Sequence, residues 1–593
     1  MSRKKQNADA IPDKNYRGHR ARSGHQTLRS WTVGGLPIVN RLLERMRLQE
    51  FLEKYLPPDD PRQEVPTTRC LLLLLRNILL SREPIYGIGE WAESYAPDLL
   101  DLKSDELKQL NDDRVGRCLD RLFDAPIPEL LLDVVRHVIQ EFGLRLDELH
   151  NDSTTVSFFG AYHEASEEGQ RRGRKTLAVT FGHNKARRPD LKQLLYILTI
   201  TEDGGVPIYF TSDSGNVTDD TTHRQTWDLL CELVGRPDFL YVADCKLATR
   251  ENMQYLHSRG GRFVTILPRT RREDAQFRER LLADGDAMAW EHLYNVTNED
   301  NEVVDRLRVC CDVGVSAEGF RLLWFHSTRK VARDMASRAR AIERTQQELA
   351  KLCERLQLPR TRFRDRSKVQ QAVEEILGKR GTTAWVQVEI HEQQEETFKQ
   401  SQRGRPGSNT QYVRQLSTRY RLSISVDQKQ LAQDEQTDGL FPLISNVPEM
   451  SPEALLRAYK RQPLIEKRFS QFKTDFEVAP VYLKEVSRIQ SLLIVYFFVL
   501  LVQTLLEREL RNAMNKAELE SLPLYPERRK CRAPTTRRVL DLFEPVQRHE
   551  LRTEGESDVF FTELTPLQRK ITSLLGVSPR NYGRRLAVEI PSY

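Results

Sequence analysis

Two aspartates occupy positions in strand-like segments where active-site residues are often found. Asp152 lies within the segment LDELHNDSTTVSFF, and Asp244 ends the segment FLYVAD. In a mostly parallel α/β core, side chains at such positions point toward the crevice at the carboxyl ends of the strands. An aspartate at a strand end is also commonly a turn residue or a helix cap. The pair is therefore a candidate carboxylate site, with the turn or cap as the alternative.

A glutamate far along the chain is the third candidate. Around Glu466 the sequence AYKRQPLIEKRFSQFK predicts a helix whose apolar stripe packs on a core. Tyr459, Glu466 and Lys473 follow one another at seven-residue intervals, which keeps them within about 40° of one line on a helix. The three side chains can therefore face one ligand. An ordinary solvated helix face is the alternative.

Length and composition limit the class of protein that carries these residues. The chain has 593 residues, of which 39% are hydrophobic and 30% charged, so it can bury several cores. The formal net charge is only +6, from 91 lysines and arginines against 85 aspartates and glutamates. A polyanion must therefore be bound by local basic patches rather than by the whole surface. Acidic solvating chains and proteins with extreme charged tails are excluded.

The sequence predicts neither a membrane span nor a secretory signal. The longest apolar run, Leu492 to Val502, is shorter than the about 20 residues that a bilayer requires, and it predicts a buried core helix. The N-terminal residues are charged and no apolar stretch follows them. The 8 cysteines include no C-x-x-C pair, so they predict buried thiols rather than a zinc finger or disulfides. We expect a protein of the reducing cytosol without a membrane partner.

The order of predicted elements between Arg145 and Pro268 indicates a fold for the core. The segments LDELHNDSTTVSFF, QLLYILTIT and VPIYFTS predict three antiparallel strands, and a D-G turn signal joins the last two. Helices near 221–234 and 249–259 then alternate with the strands FLYVAD and RFVTIL. Pro207 belongs at a sheet edge. This is the order of an RNase H-like α/β core with a mixed five-stranded sheet.

Changes in composition and hydrophobic period divide the chain into six regions. The first 30 residues carry eight lysines and arginines, two aspartates and few aliphatic residues, which predicts disorder. An α+β insertion with a long charged helix at 329–356 interrupts the core. The predicted regions are a disordered basic arm at 1–32, an all-helical N-terminal domain at 33–140, the first part of the core at 141–268, the insertion at 269–440, the second part of the core at 441–514 and an all-helical C-terminal region at 515–593.

Several motifs together resemble those of one enzyme family. HNDSTT around Asp152, YVADCKL around Asp244 and the seven-residue spacing around Glu466 resemble the DDE transposases of bacterial insertion sequences. The resemblance is to the branch with a Y-R-E-K signature and a large insertion before the glutamate. It covers most of residues 33–580, including GHNKARRPDLKQ and VAPVYLKEVSRIQSLL.

One position departs from that signature. Gln462 stands where the signature has arginine, and Arg461 lies one residue earlier. Pro463 follows, and a proline there is expected to kink the helix or to begin it just before Glu466. The roles of Arg461 and Gln462 are therefore open, whereas those of the signature tyrosine and lysine carry over.

The resemblance implies a Mg²⁺-dependent DNA transposase. Such an enzyme cleaves DNA at the inverted-repeat ends of its element and transfers the freed strands into target DNA. Two Mg²⁺ ions roughly 3.5 to 4 Å apart activate the attacking oxygen and stabilise the leaving oxygen, with Mn²⁺ as a substitute. Asp152, Asp244 and Glu466 would be the catalytic residues and metal ligands, with Asp152 shared between the ions. Oxygen ligands suit Mg²⁺, and the lack of a Cys/His cluster argues against zinc.

The family pattern also implies contacts with DNA from residues near the glutamate. Lys473 would hold a phosphate of the DNA end as a point charge, and Tyr459 would hydrogen-bond or stack near the cleaved nucleotide. Arg461 is a further candidate for DNA binding. The helical domain at 33–140 is a candidate for binding the DNA ends.

Two basic segments elsewhere are candidate phosphate contacts. The segment after the first core strand carries the basic residues Lys185, Arg187, Arg188 and Lys192, which predict backbone contacts or ordinary exposed surface. Arg403 and Arg405, in the sequence RGRP, resemble the core of a minor-groove A·T hook. A flexible turn is the alternative for this second segment.

The resemblance implies partners and a location as well. Double-stranded DNA would be bound both as element ends and as target, by a homodimer or a higher synaptic assembly. The protein is expected in the prokaryotic cytoplasm, associated with the nucleoid. Two alternatives stay open: a transposase-derived DNA-binding protein without transposition activity, and a structural or partner-binding helical protein with an inert core.

Overall fold

The computed structural model describes residues 27–160, 162, 169–185, 188–284, 288–298, 300–311, 314–358, 361–475, 483–553 and 556–582. The helices are α1 Leu36–Arg45, α2 Leu48–Tyr55, α3 Thr67–Leu80, α4 Ile88–Glu93, α5 Asp112–Asp124, α6 Ile127–Phe142, α7 Asp219–Val234, α8 Arg250–Ser258, α9 Arg272–Asp284, α10 Thr328–Gln357, α11 Arg366–Arg380, α12 Gln428–Gln436, α13 Pro452–Lys460, α14 Pro463–Ser470, α15 Val486–Lys516, α16 Thr536–Phe543 and α17 Pro566–Leu574. The strands are β1 Thr27–Thr32, β2 Glu148–Phe158, β3 Gln170–Arg171, β4 Arg174–Lys175, β5 Lys192–Thr201, β6 Pro207–Ser214, β7 Leu240–Val242, β8 Arg262–Ile266, β9 Glu291–Thr297, β10 Val303–Cys310, β11 Arg321–Ser327, β12 Val386–Gln400, β13 Tyr412–Val426, β14 Leu440–Ser445, β15 Gln547–Thr553 and β16 Glu556–Phe561. The protein is therefore of the mixed α/β class.

The chain divides into two compact units. The first takes the residues up to Leu144, Val156–Thr180 and those from Ser470 onward. The second takes Arg145–Thr155 and Phe181–Phe469. All three candidate carboxylates belong to the second unit.

The first unit is built around the apolar helix α15. Among the described helices it is the one that is long and apolar enough to cross a membrane, yet 94% of its most apolar window is buried inside the fold. Helices α3 and α5 pack against it. An apolar helix that is buried all round is the signature of a protein core. This matches the buried helix that Leu492 to Val502 predicts.

The predicted all-helical domain at 33–140 contains α1 to α6 and no strand among its described elements, whereas the arm at 1–32 and the region 515–593 contain strands, so the expectation of an all-helical C-terminal region was wrong. Strand β1, within the predicted arm at 1–32, pairs antiparallel with β15, which pairs antiparallel with β16. The partner of Thr27 is Arg552. Local hydrophobic period could not reveal this sheet, because its strands are short and polar and their partners lie at opposite ends of the sequence. The rest of the predicted arm lies outside the described residues.

The second unit contains a nine-stranded sheet in the order β6-β5-β2-β7-β8-β14-β11-β10-β9. Strands β5 and β6 are antiparallel, whereas β2, β7 and β8 run parallel to one another. The pairs β8–β14, β14–β11, β11–β10 and β10–β9 are antiparallel. Because β2 and β7 lie well inside this sheet, both are flanked by strands on each side.

The sheet is larger than the five strands expected from the sequence. The five expected strands are present as β2, β5, β6, β7 and β8, but β9, β10, β11 and β14 extend the sheet. Strands β9 to β11 come from the region 269–440 that was predicted to be a separate insertion. Their sequences predict strands but not the sheet that they join, because pairing partners are not encoded locally.

The β5–β6 hairpin confirms the predicted turn. The register runs from Leu194↔Ser214 to Ile200↔Pro207, and Pro207 begins the edge strand β6. Gly204 and Gly205 have φ angles of 89° and 63°, a region that glycine enters at no steric cost.

The remaining part of the insertion has a hydrophobic core of its own. Helices α10 and α11 pack against one half of the two-stranded ribbon made by β12 and β13. The core side chains are Leu349, Leu352, Leu356, Phe363, Val369, Val373, Leu377, Val386, Ile390 and Tyr420. The helix predicted at 329–356 is therefore confirmed as α10.

Candidate active site

Asp152 lies in the middle of β2, a strand that is otherwise almost completely buried. Nine of its 11 residues are buried, and Asp152 is one of the two that are partly accessible. Its side chain is 19% exposed. The high burial follows from the interior position of β2 in the sheet, since such a strand is covered on both faces. Asp152 is thus a carboxylate that solvent and ligands reach from one side only.

Asp244 lies just beyond the carboxyl end of β7, the parallel neighbour of β2. The register pairs Glu148 with Leu240 and His150 with Val242. If this register continues for two more residues, Asp244 lies opposite Asp152 and on the same face. Neighbouring strands are about 4.8 Å apart. The Thr265 hydroxyl donates to the Asp244 carbonyl at 2.6 Å and helps to fix this turn.

Tyr459, near the end of α13, interacts electrostatically with Glu466 as well as with the two aspartates. Burial raises the pKa of the Tyr459 hydroxyl, and the negative charges of Asp244, Glu466 and Asp152 raise it further. The tyrosine therefore remains protonated and lies within electrostatic range of all three carboxylates. The charges of all three predicted carboxylates thus act on the predicted tyrosine.

The donor set fits oxygen-preferring cations better than zinc. Among the described residues, no group of three or more His, Cys, Asp and Glu side chains is close enough to hold a single metal ion. Cys245 follows Asp244, and burial, followed by the charge of Asp244, raises the pKa of its thiol. Thiols bind metals as thiolates, so Cys245 is a poor ligand here.

Lys185 provides a cation at Asp152. Its ammonium lies 3.5 Å from Asp152 Oδ1 and donates to the Ser153 carbonyl and hydroxyl, each at 2.7 Å. The sequence predicts a phosphate contact for this lysine. Its position beside Asp152 makes it part of the candidate active site.

Gln462 connects the glutamate helix to β2. The Gln462 amide nitrogen donates to the Asn151 carbonyl at 3.0 Å, and its oxygen lies 2.9 Å from His150 Nδ1. Nε2 of His150 lies 2.8 Å from Glu148 Oε1. Both ring nitrogens of His150 face acceptors, so both contacts are hydrogen bonds only when both nitrogens carry protons. All of these side chains are buried, which makes the connection rigid.

Arg461 strengthens the same connection with an ion pair. Its guanidinium donates from Nε to Glu148 Oε1 at 2.6 Å and from Nη2 to Glu148 Oε2. Glu202 lies 3.6 Å from the same guanidinium. Burial raises the pKa of Glu148, but hydrogen bonds from His150 and Arg461 outweigh it, so the pKa lies below its ordinary value. DNA binding by Arg461 stays a prediction, although the guanidinium already has carboxylate partners.

The helix around Glu466 is broken, unlike the continuous helix that the seven-residue spacing assumes. Helix α13 ends at Lys460, α14 begins at Pro463 and a π-helical turn follows at Gln471–Asp475. Pro463 explains the break, since proline cannot continue the hydrogen bonds of a preceding helix. Tyr459 and Glu466 therefore reach the site from two helices. Lys473 lies in the π-helical turn and belongs to the first unit.

The other predicted DNA contacts lie apart from the carboxylates or outside the described residues. Arg188 pairs with Asp190 at 2.7 Å, and Lys192 begins β5 rather than lying in a loop. Arg403 and Arg405 are exposed in the loop between β12 and β13. Arg187 lies outside the described residues. DNA binding by these residues stays a prediction.

One residue beside the site was not singled out from the sequence. Glu148 holds both His150 and Arg461, as described above. A signal for Glu148 was available, because Glu148, His150 and Asp152 alternate along β2 and must share one face.

Comparison with known proteins gives few matches. A family model described as a domain of unknown function (DUF4277) matches residues 28–136. No curated protein matches the chain. Among solved structures, the piggyBac transposase synaptic complex with hairpin DNA matches at 11% identity with a TM-score of 0.23, over 49% of this chain and 58% of that chain. The chain therefore matches a little over half the length of that solved structure.

Proposed function

We propose that the chain is a DDE-class DNA transposase with an RNase H-like core. It would cleave DNA at the inverted-repeat ends of an insertion sequence and join the freed strands to target DNA. The observation that carries the proposal is the parallel pairing of β2 with β7, which brings Asp152 and Asp244 to neighbouring strands, and the charges of both aspartates and of Glu466 act on Tyr459. These are the positions that match the family's motifs in the sequence.

The sheet gives independent support for the proposed core. In an RNase H-like core an antiparallel hairpin precedes two parallel strands, and β6-β5-β2-β7-β8 has this order with these directions. Asp152 lies midway along β2, and Asp244 lies just beyond the carboxyl end of the parallel neighbour β7. Sites in α/β sheets commonly form at the carboxyl ends of the strands. Gln462, four residues before the glutamate, donates to the Asn151 carbonyl of β2, which supports a position of Glu466 near this strand.

The residues present fit two Mg²⁺ ions, for which Mn²⁺ would substitute. Asp152, Asp244 and Glu466 would hold the ions, which when bound would activate the attacking oxygen and stabilise the leaving oxygen. Asp152 and Asp244, on neighbouring strands, would both contribute ligands. Lys185 would balance the charge of Asp152, and Tyr459 would donate its proton in a hydrogen bond to a phosphate oxygen.

The proposal includes partners and a location. The partners are double-stranded DNA, as element ends and as target, and further copies of the chain in a homodimer or synaptic assembly. The location is the prokaryotic cytoplasm near the nucleoid. Lys473 would hold an end phosphate, as the family pattern suggests.

The first test is cleavage of a linear DNA that carries the sequences flanking the gene. We expect nicking at the element boundary with Mg²⁺, none with EDTA and none with Glu466→Ala. Glu453→Ala is the matched control, because Glu453 is 42% exposed on α13 and pairs only with the exposed Arg457 in the described structure. DNA binding without cleavage by the wild type would instead support a transposase-derived DNA-binding protein.

The second test concerns the connection through Gln462. Gln462→Met keeps the side-chain size but removes both hydrogen bonds, so Glu466 should be held less precisely. We expect single-turnover cleavage to slow by about 10- to 100-fold, since displacement of a catalytic group by about 1 Å has this effect. DNA affinity should change little, while stability should fall by about 1–3 kcal/mol because the Asn151 carbonyl and His150 lose buried hydrogen bonds. A rate equal to that of the wild type would show that Gln462 does not position the site.

A further inference from the structure

The ribbon formed by β12 and β13 extends beyond the helices that cover its base. Residues 397–416, here called the ribbon tip, contain the ends of both strands and the loop that joins them. The Ser401 amide donates to the Gln411 carbonyl at 2.9 Å, and the Gly407 amide donates to the Thr410 hydroxyl at 2.8 Å. The tip is therefore an ordered hairpin end.

One face of the ribbon carries apolar side chains at its base and again at its tip, with charged and polar side chains between the two groups, and only the apolar side chains at the base are covered. Cross-strand partners lie on the same face of an antiparallel pair. The pairs Val388↔Ile424 and Ile390↔Leu422 pack on α10 and α11. The same face continues through Glu396↔Leu416, Phe398↔Arg414 and Gln400↔Tyr412. There Phe398, Tyr412 and Leu416 are 64%, 53% and 58% exposed.

All of the charged side chains in the ribbon tip are positive. Residues 397–416 include Lys399, Arg403, Arg405 and Arg414 and contain no aspartate or glutamate. Arg414 pairs with Glu396, just outside the tip. The other three cations are exposed. A second copy of the same tip would repel this surface, whereas a polyanion would be attracted.

We propose that the ribbon tip is a DNA-binding arm that enters the major groove of duplex DNA. The major groove, about 12 Å wide, admits a two-stranded ribbon, whereas the minor groove is only about 6 Å wide. Phe398, Tyr412 and Leu416 would contact base edges and thymine methyl groups. Lys399, Arg403 and Arg405 would contact the phosphates on either side.

This binding arm is separate from the carboxylate site. The choice of duplex DNA as its ligand rests on the proposed function. It assigns Arg403 and Arg405 to an arm with an apolar reading face, rather than to a minor-groove hook in a flexible loop. The arm gives the insertion a role that the carboxylate site does not supply. It would hold DNA in addition to the contacts made at the site of cleavage.

The test is equilibrium binding of the full chain to a labelled 30-base-pair duplex of mixed sequence, in EDTA and over a series of salt concentrations. We expect Lys399→Gln/Arg403→Gln/Arg405→Gln to reduce the slope of log affinity against log salt by about 2.7, or 0.9 for each phosphate contact. Phe398→Ser/Tyr412→Ser should weaken binding about tenfold with an unchanged slope, because apolar contacts with bases release no counterions.

The matched control removes the same charge from the helices of the insertion. Arg344, Lys351 and Lys379 are exposed on α10 and α11, and their triple glutamine variant should keep the wild-type slope. An equal loss in this control, or an unchanged slope in the tip variant, would overturn the proposal. Loss of self-association with unchanged DNA binding would overturn it too and identify the tip as an interface between copies. Because EDTA prevents cleavage, absence of transposase activity would not affect this result.

Discussion

Asp152→Asn and Asp244→Asn should each lower DNA cleavage by about a thousandfold or more, because a lost ligand removes several kcal/mol of charge stabilisation and each 1.36 kcal/mol is a factor of ten. Asparagine keeps the shape of the side chain and its oxygen acceptor but removes the negative charge. Both aspartates lie on the same face of adjacent parallel strands, so the two variants should have similar effects.

These variants should retain the fold and DNA binding. Asp152 is partly accessible and its cation partner Lys185 keeps two other hydrogen bonds, to Ser153, at 2.7 Å. Loss of the Asp152 charge therefore does not leave Lys185 without partners. DNA affinity should change by less than cleavage does, since the carboxylates repel phosphate unless cations are bound.

Three measurements check this expectation. Single-turnover cleavage gives the rate, duplex binding in EDTA gives DNA affinity, and titration with Mn²⁺ followed by electron paramagnetic resonance gives metal binding without catalysis. Asp238→Asn is the control, because Asp238 precedes β7 on the chain and is 57% exposed. Cleavage by either site variant at the wild-type rate would remove that aspartate from the active site.

Local sequence patterns were sufficient to predict the strands that carry or precede the two candidate aspartates. Strand-like segments placed Asp152 and Asp244 correctly because both lie in or after buried strands of the sheet. The position of Glu466 came from family motifs, and the helix break before it follows from Pro463. These features depend on residues within a few positions of one another.

The remainder depends on contacts between distant parts of the chain. Glu148 and Arg461 are separated by 313 residues, and β1 and β15 by more. No hydrophobic period indicates such partners. The four added strands of the sheet have the same cause, since a strand sequence does not specify its neighbour. The candidate carboxylates could therefore be proposed from the sequence, but the contacts among Glu148, Arg461 and Gln462 could not.

The Glu148 ion pair should have the largest effect on stability. Glu148→Gln leaves Arg461 and His150 beside a neutral amide in a buried setting, and removal of one partner of a buried pair costs about 3–5 kcal/mol. Arg461 is 36% exposed, so we expect about 3 kcal/mol, at the lower end of this range. Urea denaturation at pH 7 measures this loss in the free energy of unfolding. The control Glu453→Gln breaks an exposed ion pair and should lower the free energy of unfolding by about 0.5 kcal/mol or less.

The pH dependence of stability gives a separate test of the same contact. The pKa of Glu148 is lowered in the folded protein, so the ionised carboxylate stabilises the fold fully above its unfolded value near 4.5. This contribution is lost as the pH falls from there through the folded-state pKa. The wild type should therefore lose more stability than Glu148→Gln between pH 5 and pH 3. Parallel curves for the two proteins would show that Glu148 makes no net contribution, and the double variant with Arg461→Gln would then show no coupling.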